Sequence, residues 1–215
     1  MQLAPDLPIG RPSFDLSLDQ IATILDMTCR AAYEARAAVT TGMLEVPITI
    51  IIRKAMRRVK KALGITNLQV RGEHELEDMA TTDAALLGRI DITLQFLHQF
   101  ADEDAYVAVE CKRVGAGLHQ LNARYVSEGV HRFATDQYAA GHHWGFMLGY
   151  VLVLPLQKPV KSIDRHMRKA YGESAKLAVA AEHPLALAVM QGSLPRLSGH
   201  NIRLQHIFVD MTCAS

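Results

Sequence analysis

The sequence predicts an α/β fold in which helices flank a mixed central sheet. Its hydrophobic patterns run in the order helix, three strands, helix, strand and a late strand, which is typical of a sheet covered by helices on both faces. At 215 residues and 49% hydrophobic composition, the chain is long enough to bury one substantial core. No internal repeat or linker divides it. We therefore expect an extended arm over residues 1–16 and a single domain over residues 17–215.

Two helices are expected before the first strand. A capping box at Ser17 and Gln20 begins a helix that should run to about Thr40. A second helix should run from Glu45 to about Leu63, with Pro47 near its first turn, where the missing N–H costs little.

The second helix is basic outside its apolar face. Cations along a helix can neutralise the phosphates of a nucleic acid, so Arg53, Arg57 and Lys61 are candidate nucleic-acid-binding residues. A charged helix face is also commonly just solvated, and that alternative stays open.

Two strands over residues 88–114 carry the residues of greatest chemical interest. In the first, Asp91 lies on the polar side of a period-two alternation. In the second, from Tyr106 to Val114, Glu110 and Lys112 interrupt an otherwise apolar run and share one face. A hairpin through residues 97–104 would bring Asp91 beside both.

This set of side chains suits phosphodiester hydrolysis. Two carboxylates can hold Mg²⁺ or Mn²⁺, and the bound ion can polarise a phosphoryl oxygen and activate a water. Lys112 can orient or deprotonate that water, or neutralise charge on the phosphate. The simpler alternative is a Glu–Lys pair on a solvated edge strand.

The pattern of Asp91 followed by Glu110-x-Lys112 resembles the PD-(D/E)XK nuclease superfamily, with Ile90 in place of the proline of the motif. The resemblance covers roughly residues 45–155 and implies a restriction-endonuclease-like core. It also implies a metal-dependent nuclease, acting on DNA rather than RNA, with Asp91 and Glu110 as metal ligands. Members often carry a further acid at the position of Glu45, which is thus a third candidate ligand.

Two other classes of function compete with this interpretation. The chain could be a nucleic-acid-binding subunit with the same fold that cuts weakly or only on activation, as a homodimer or within a larger assembly. It could also be a scaffolding or transport domain in which the triplet is accidental.

The rest of the chain supplies further elements. We expect a helix over residues 118–140, a buried strand over 146–154, a basic helix over 163–171, an Ala-rich helix over 177–190 broken near Pro184, and a strand over 202–211.

Composition excludes several classes of protein. Cys29, Cys111 and Cys213 are far apart in sequence and show no paired spacing, which argues against a cysteine-built metal cluster and against a secreted disulfide framework. No apolar run is long enough to span a membrane, and we expect a cytoplasmic protein.

Overall fold

The computed structural model describes residues 16–40, 42–77, 86–100, 102 and 104–212. The arm expected over residues 1–16 lies, apart from Leu16, outside the described residues, as does Cys213. Seven strands form one sheet in the spatial order β1-β2-β3-β4-β7-β6-β5. The strands are β1 (Leu68–Glu77), β2 (Leu86–Phe96), β3 (Val107–Gly115), β4 (Trp144–Val153), β5 (Ala178–Ala181), β6 (Ala188–Pro195) and β7 (Asn201–Asp210).

The sheet is mixed, as predicted. Strands β1, β2 and β3 form an antiparallel meander, β3, β4 and β7 run parallel, and β6 and β5 return antiparallel. The central strand β4 is buried along nearly its whole length, which agrees with its continuous apolar sequence. The prediction of an α/β architecture with helices around a mixed sheet is confirmed.

Helices α1 (Leu18–Ala35) and α2 (Glu45–Ala62) cover one face of the sheet. The capping box at Ser17 and Gln20 is present, with both reciprocal hydrogen bonds made. Helix α1 ends before Thr40, because a 3₁₀ turn over Arg36–Ala38 leads the chain out of it. Helix α2 begins and ends where the sequence predicts.

A second helical layer covers the opposite face. It consists of α3 (His119–Arg124), a π-helical turn (Tyr125–Val130) and α4 (His131–Ala134), followed after β4 by α5 (Gln157–Tyr171). Two predicted boundaries are wrong: the first helical run stops at Ala134, and α5 begins six residues before Ile163. Pro159 lies in the first turn of α5, a position that needs no N–H donor. Among the described residues, no helix combines the length and apolar character that crossing a bilayer requires.

The helix predicted over residues 177–190 is wrong. This segment forms β5 and the start of β6, which pair antiparallel at the side of the sheet next to β7. Alanine favours helices intrinsically, but the ladder with β7 and the burial of Val189 and Leu194 override that weak preference.

Candidate active site

Strands β2 and β3 separate at the position of Asp91. Their ladder pairs Leu94 with Val107 and ends at Ile92 and Val109. The strand also turns here: Ile90 packs in the core beneath α3 and α4, whereas Ile92 packs in the core beneath α1 and α2. The period-two alternation predicted for this strand, in which residues two apart share a face, is therefore broken at Asp91. On the neighbouring strand, Glu73 adopts a φ of 47°, an irregularity that accompanies this turn.

Beyond the end of the backbone ladder, the Asp91 side chain connects β2 to β3. Its Oδ2 accepts a hydrogen bond of 2.8 Å from the N–H of Cys111, the middle residue of the Glu-x-Lys triplet. This bond fixes the Asp91 carboxylate against the backbone of β3.

Glu110 and Lys112 project from β3 towards the π-helical turn. Gly129 makes room for them, because a Cβ at that position would lie 3.3 Å from Lys112 Cγ and 3.5 Å from Glu110 Cγ. The Glu110 side chain is completely buried, and Lys112 Nζ lies 2.8 Å from its Oε1. An ion pair therefore lies at the centre of the site with little access to water.

Glu45 reaches the same lysine from the first turn of α2. Its Oε1 lies 2.9 Å from Lys112 Nζ, and its Oε2 accepts a hydrogen bond of 3.1 Å from the N–H of Arg113. Lys112 thus bridges two carboxylates that come from different elements.

Arg132 on α4 is a site residue that the sequence did not reveal. Its Nη1 lies 2.9 Å from Glu110 Oε1 and donates to the Tyr138 hydroxyl at 2.7 Å. Tyr138 in turn donates to the carbonyl of Arg89 on β2. Arg132 follows Gly129 by three residues and so lies near it on the helix surface, but only the structure shows that this surface faces Glu110.

Burial and mutual charge shift the ionisation of the site. Burial and then the nearby Asp91 carboxylate raise the pKa of Glu110 to about 7, although Lys112 and Arg132 oppose the change. Burial also raises the pKa of Asp91, against the influence of Lys112. Burial alone would lower the pKa of Lys112, but the Glu110 and Glu45 carboxylates outweigh it and raise the pKa. Lys112 therefore carries its positive charge at neutral pH.

The residues present fit a hard divalent cation that keeps several waters. Glu110 Oε2 is buried without a hydrogen-bond partner within the described part of the chain, so this oxygen is available to bind a cation. Asp91 would supply the second carboxylate. Residues 16–40, 42–77, 86–100, 102 and 104–212 contain no group of three His, Cys, Asp or Glu side chains arranged to hold a metal. Because Mg²⁺ is commonly bound through only one or two carboxylates, two ligands suffice.

Glu45 lies at the site as expected, but its carboxylate is bound by protein groups, whereas the sequence suggested a metal ligand. Both of its oxygens are engaged, one by Lys112 and the other by the N–H of Arg113. Its service as a third metal ligand stays a prediction, and it would require the bond to Lys112 to open.

The predicted nucleic-acid-binding residues lie along α2, away from Glu45. At 1.5 Å per residue, Arg53 is about 12 Å and Lys61 about 24 Å further along the helix axis. The Arg53 guanidinium lies over Gly72 of β1, at the place a side chain there would occupy. Arg57 Nε donates to the carbonyl of Val70 at 3.1 Å, and Lys61 is exposed. The first two cations are thus partly engaged with β1.

No family model, curated protein or solved structure matches this chain. Similarity to known proteins therefore assigns neither a family nor an activity. The geometry around Glu110 and the chemistry of its neighbours are the basis on which a function can be argued.

Proposed function

We propose that the protein is a metal-dependent nuclease that hydrolyses phosphodiester bonds, in DNA rather than in RNA. The observation that carries the proposal is the buried Glu110 carboxylate, with one oxygen bound by two cations and the other without a partner among the described residues. Burying a carboxylate is costly unless it is paired and hydrogen-bonded, and here only one of the two oxygens is. A metal ligand in a hydrolytic site is the use that its neighbours favour.

The arrangement of elements around the site supports the same proposal. Helix α2, the meander β1–β3, the helical run from α3 to α4 and the parallel strand β4 follow one another along the chain, and Asp91, Glu110 and Lys112 lie on β2 and β3. This is the order that the resemblance to PD-(D/E)XK nucleases implies for residues 45–155. We infer a restriction-endonuclease-like core there.

Asp91 and Glu110 would hold Mg²⁺, or Mn²⁺ in its place, with Glu45 as a further ligand once released from Lys112. When bound, such an ion polarises a phosphoryl oxygen and lowers the pKa of a coordinated water. The chain contributes two fixed carboxylates for this purpose, one held by the backbone of Cys111 and the other by Lys112 and Arg132.

Lys112 serves as a cation in this proposal. Because its pKa is raised, it is poorly suited to deprotonate a water and well suited to orient one and to neutralise charge that develops on the phosphate. Arg132 supplies a second fixed cation at the same oxygen, Glu110 Oε1.

The charge of the site favours an anionic substrate only when a cation is bound. Asp91, Glu110 and Glu45, if all ionised, outnumber the cations Lys112 and Arg132 by one charge. A divalent ion would reverse that sign and attract a phosphodiester. Metal and nucleic acid should therefore bind cooperatively.

The direct test is incubation with plasmid, linear and single-stranded DNA and with RNA, each in Mg²⁺, Mn²⁺ or chelator. We expect DNA cleavage that depends on the metal and that Lys112→Ala reduces by about 100-fold or more. Arg30→Ala, on the exposed side of α1, should leave it intact. Absence of cleavage under every condition, with no measurable metal binding by titration calorimetry, would refute the proposal.

One observation favours a second candidate function. Lys112 is bound by Glu45 as well as by Glu110, so its charge is already paired within the protein. A nucleic-acid-binding subunit that cuts weakly, or only when a partner or second copy opens this bond, would have the same arrangement. Nucleic-acid binding without cleavage, together with cleavage gained in Glu45→Gln, would support it.

A further inference from the structure

A groove between α3 and α5 lies outside the proposed site. Its volume is about 560 Å³. Most of the residues that line it are of charged or polar types, among them Asn122, Lys158, Lys161, Asp164, Arg165 and Arg168.

The cations of this groove are largely unneutralised. Helix α5 contains five Lys or Arg residues and one acid, Asp164. Arg168 is paired with Glu173 at 2.6 Å. Lys158, Lys161 and Arg165 are exposed, and none forms an ion pair with any acid in the described part of the chain. The groove therefore presents three cations to solvent at intervals of three and four residues, along one side of the helix.

The apolar side of α5 is already used by the fold. Pro159, Ile163 and Met167 are buried against the sheet. The helix consequently has no apolar face left to insert into a lipid surface, and its outer side offers charge alone. A polyanion is the ligand that such a surface fits.

The groove begins close to the proposed site. Asn122, which lines it, bonds to Gly115 at the end of β3 through Oδ1 at 3.0 Å and Nδ2 at 2.9 Å. Gly115 follows Lys112 by three residues, or about 10 Å of strand. That distance is about three nucleotides of axial rise in a duplex.

We propose that the groove between α3 and α5 binds the phosphate backbone of a nucleic acid beside the cleavage site, with Lys158, Lys161 and Arg165 as the phosphate contacts. The identity of this ligand rests on the proposed nuclease function. The geometry assigns to α5 a role that the sequence suggested for α2.

The test compares two triple variants of the full chain. In the first, Lys158, Lys161 and Arg165 are changed to Gln. In the second, a control for net charge, Arg30, Arg71 and Arg203 are changed to Gln on α1, β1 and β7, where they are exposed. Binding to fluorescently labelled duplex and single-stranded oligonucleotides is measured by anisotropy in chelator, at several salt concentrations, so that no cleavage intervenes.

The α5 variant should bind both oligonucleotides roughly tenfold or more weakly, and its plot of log affinity against log salt should be shallower by about two to three. The control should retain wild-type affinity and slope. Circular dichroism melts should match for all three proteins, and if the triple variant unfolds, Lys158→Gln and Lys161→Gln singly should each lower the slope by about one. Equal slopes for wild type and the α5 variants would overturn the proposal.

Two further outcomes separate this proposal from the proposed function. A wild type that cuts nothing but binds with an α5-dependent salt slope would refute hydrolysis and leave the groove assignment standing. A wild type that cuts, with an α5 variant that binds and cuts equally well, would refute the groove alone. Binding to phosphatidylserine vesicles that depends on α5, with no binding to oligonucleotides, would replace nucleic acid by a membrane and overturn the proposal.

Discussion

At the scale of single residues, the interactions of the site converge on Glu110. One of its oxygens receives both Lys112 and Arg132, and the other lies buried with no partner among the described residues. Both cations oppose the rise in the pKa of Glu110, which burial still brings to about 7, and both would compete with a divalent ion for its carboxylate. Changes to these cations should therefore affect catalysis and metal affinity in opposite directions.

Lys112→Ala should reduce the proposed cleavage by about 100-fold or more, because in the proposed mechanism this lysine is the fixed charge beside the phosphate. Its affinity for Mg²⁺ should equal or exceed that of the wild type, since a competing cation has left Glu110 and Glu45. Single-turnover cleavage and titration calorimetry measure the two quantities. Wild-type cleavage by this variant would show that the role given to Lys112 is wrong.

Asp91→Asn should lose both metal affinity and cleavage, because a carboxylate ligand is replaced by a neutral amide. The amide oxygen can still accept the bond from Cys111, so the melting temperature should change little without metal. Calorimetry, cleavage and thermal melts on one preparation separate these effects. Retention of wild-type Mg²⁺ affinity would remove Asp91 from the ligand set.

Arg132→Ala should lower cleavage by about 10- to 100-fold and tighten Mg²⁺ binding, since Glu110 loses a cationic neighbour. If Arg132 had only a structural role, Arg132→Ala would change stability without tightening Mg²⁺ binding. Arg132→Lys should restore part of the rate, because Lys keeps the charge but not the contact with the Tyr138 hydroxyl.

The sequence predicted that Asp91, Glu110 and Lys112 would lie together, but it did not predict Arg132 beside them. Asp91, Glu110 and Lys112 lie on consecutive strands joined by a short loop, so their approach follows from alternation and hairpin pairing. Arg132 lies on a helix whose register over β3 depends on a π-helical turn. Hydrophobic spacing does not reveal such a turn, because an α-helix and a π-helical turn carry similar apolar stripes.

At the scale of elements, the π-helical turn brings the helical layer close to β3. Gly129→Ala would place a methyl group 2.7 Å from Met147 Cε and 3.3 Å from Lys112 Cγ. We expect a loss of about 1–3 kcal/mol in the free energy of unfolding and weaker cleavage, because Lys112 must move. Ser127→Ala, at an exposed position of the same turn, is the matched control. Urea unfolding and cleavage assays would test this, and equal values for both variants would contradict it.

Helix α2 should contribute less to nucleic-acid binding than its composition suggests. Arg57 already donates to Val70, and Lys61 is exposed at the far end of the helix. Arg57→Gln combined with Lys61→Gln should therefore reduce the salt slope of binding by about one at most. A reduction of the salt slope by two or more would show that the principal phosphate contacts lie on α2.

The elements that sequence patterns predicted correctly are those whose local signals agree with their environment. Helix α2 has a proline near its first turn and a glycine after its end, and β4 has an uninterrupted apolar run. Strands β5 and β6 lack such agreement: their alanines favour a helix, while their pairing depends on β7, which follows later in the chain. Propensity alone could not identify that partner.

At the scale of the whole molecule, a buried histidine makes stability depend on pH. His206 on β7 is fully buried, its Nδ1 lies 2.9 Å from the Tyr125 hydroxyl, and burial lowers its pKa to about 3. Between pH 6.5 and 3 the unfolded chain binds a proton at this residue that the folded protein does not. The contribution of His206 to the free energy of unfolding is therefore fully present above pH 6.5 and is lost progressively as the pH falls.

His206→Gln should accordingly weaken the acid sensitivity of the fold. Between pH 7.5 and 5, the loss in free energy of unfolding should be about 2 kcal/mol smaller in the variant than in the wild type. Denaturant titrations at the two pH values measure it, and His200→Gln, at an exposed position, controls for the loss of a histidine. The same pH dependence in both variants would exclude His206 as its source.

The position of β7 also has a consequence for how the chain folds. It is the last described strand in sequence, yet it lies between β4 and β6 and pairs with both. During synthesis the meander β1–β3 can form from local contacts. Strands β4 and β6, by contrast, each keep an unpaired edge until residues 201–210 have been synthesised. Open edges of apolar strands invite pairing with other chains. Nascent or truncated chains that lack β7 should therefore be the species that aggregate, even though they already contain every residue of the proposed site.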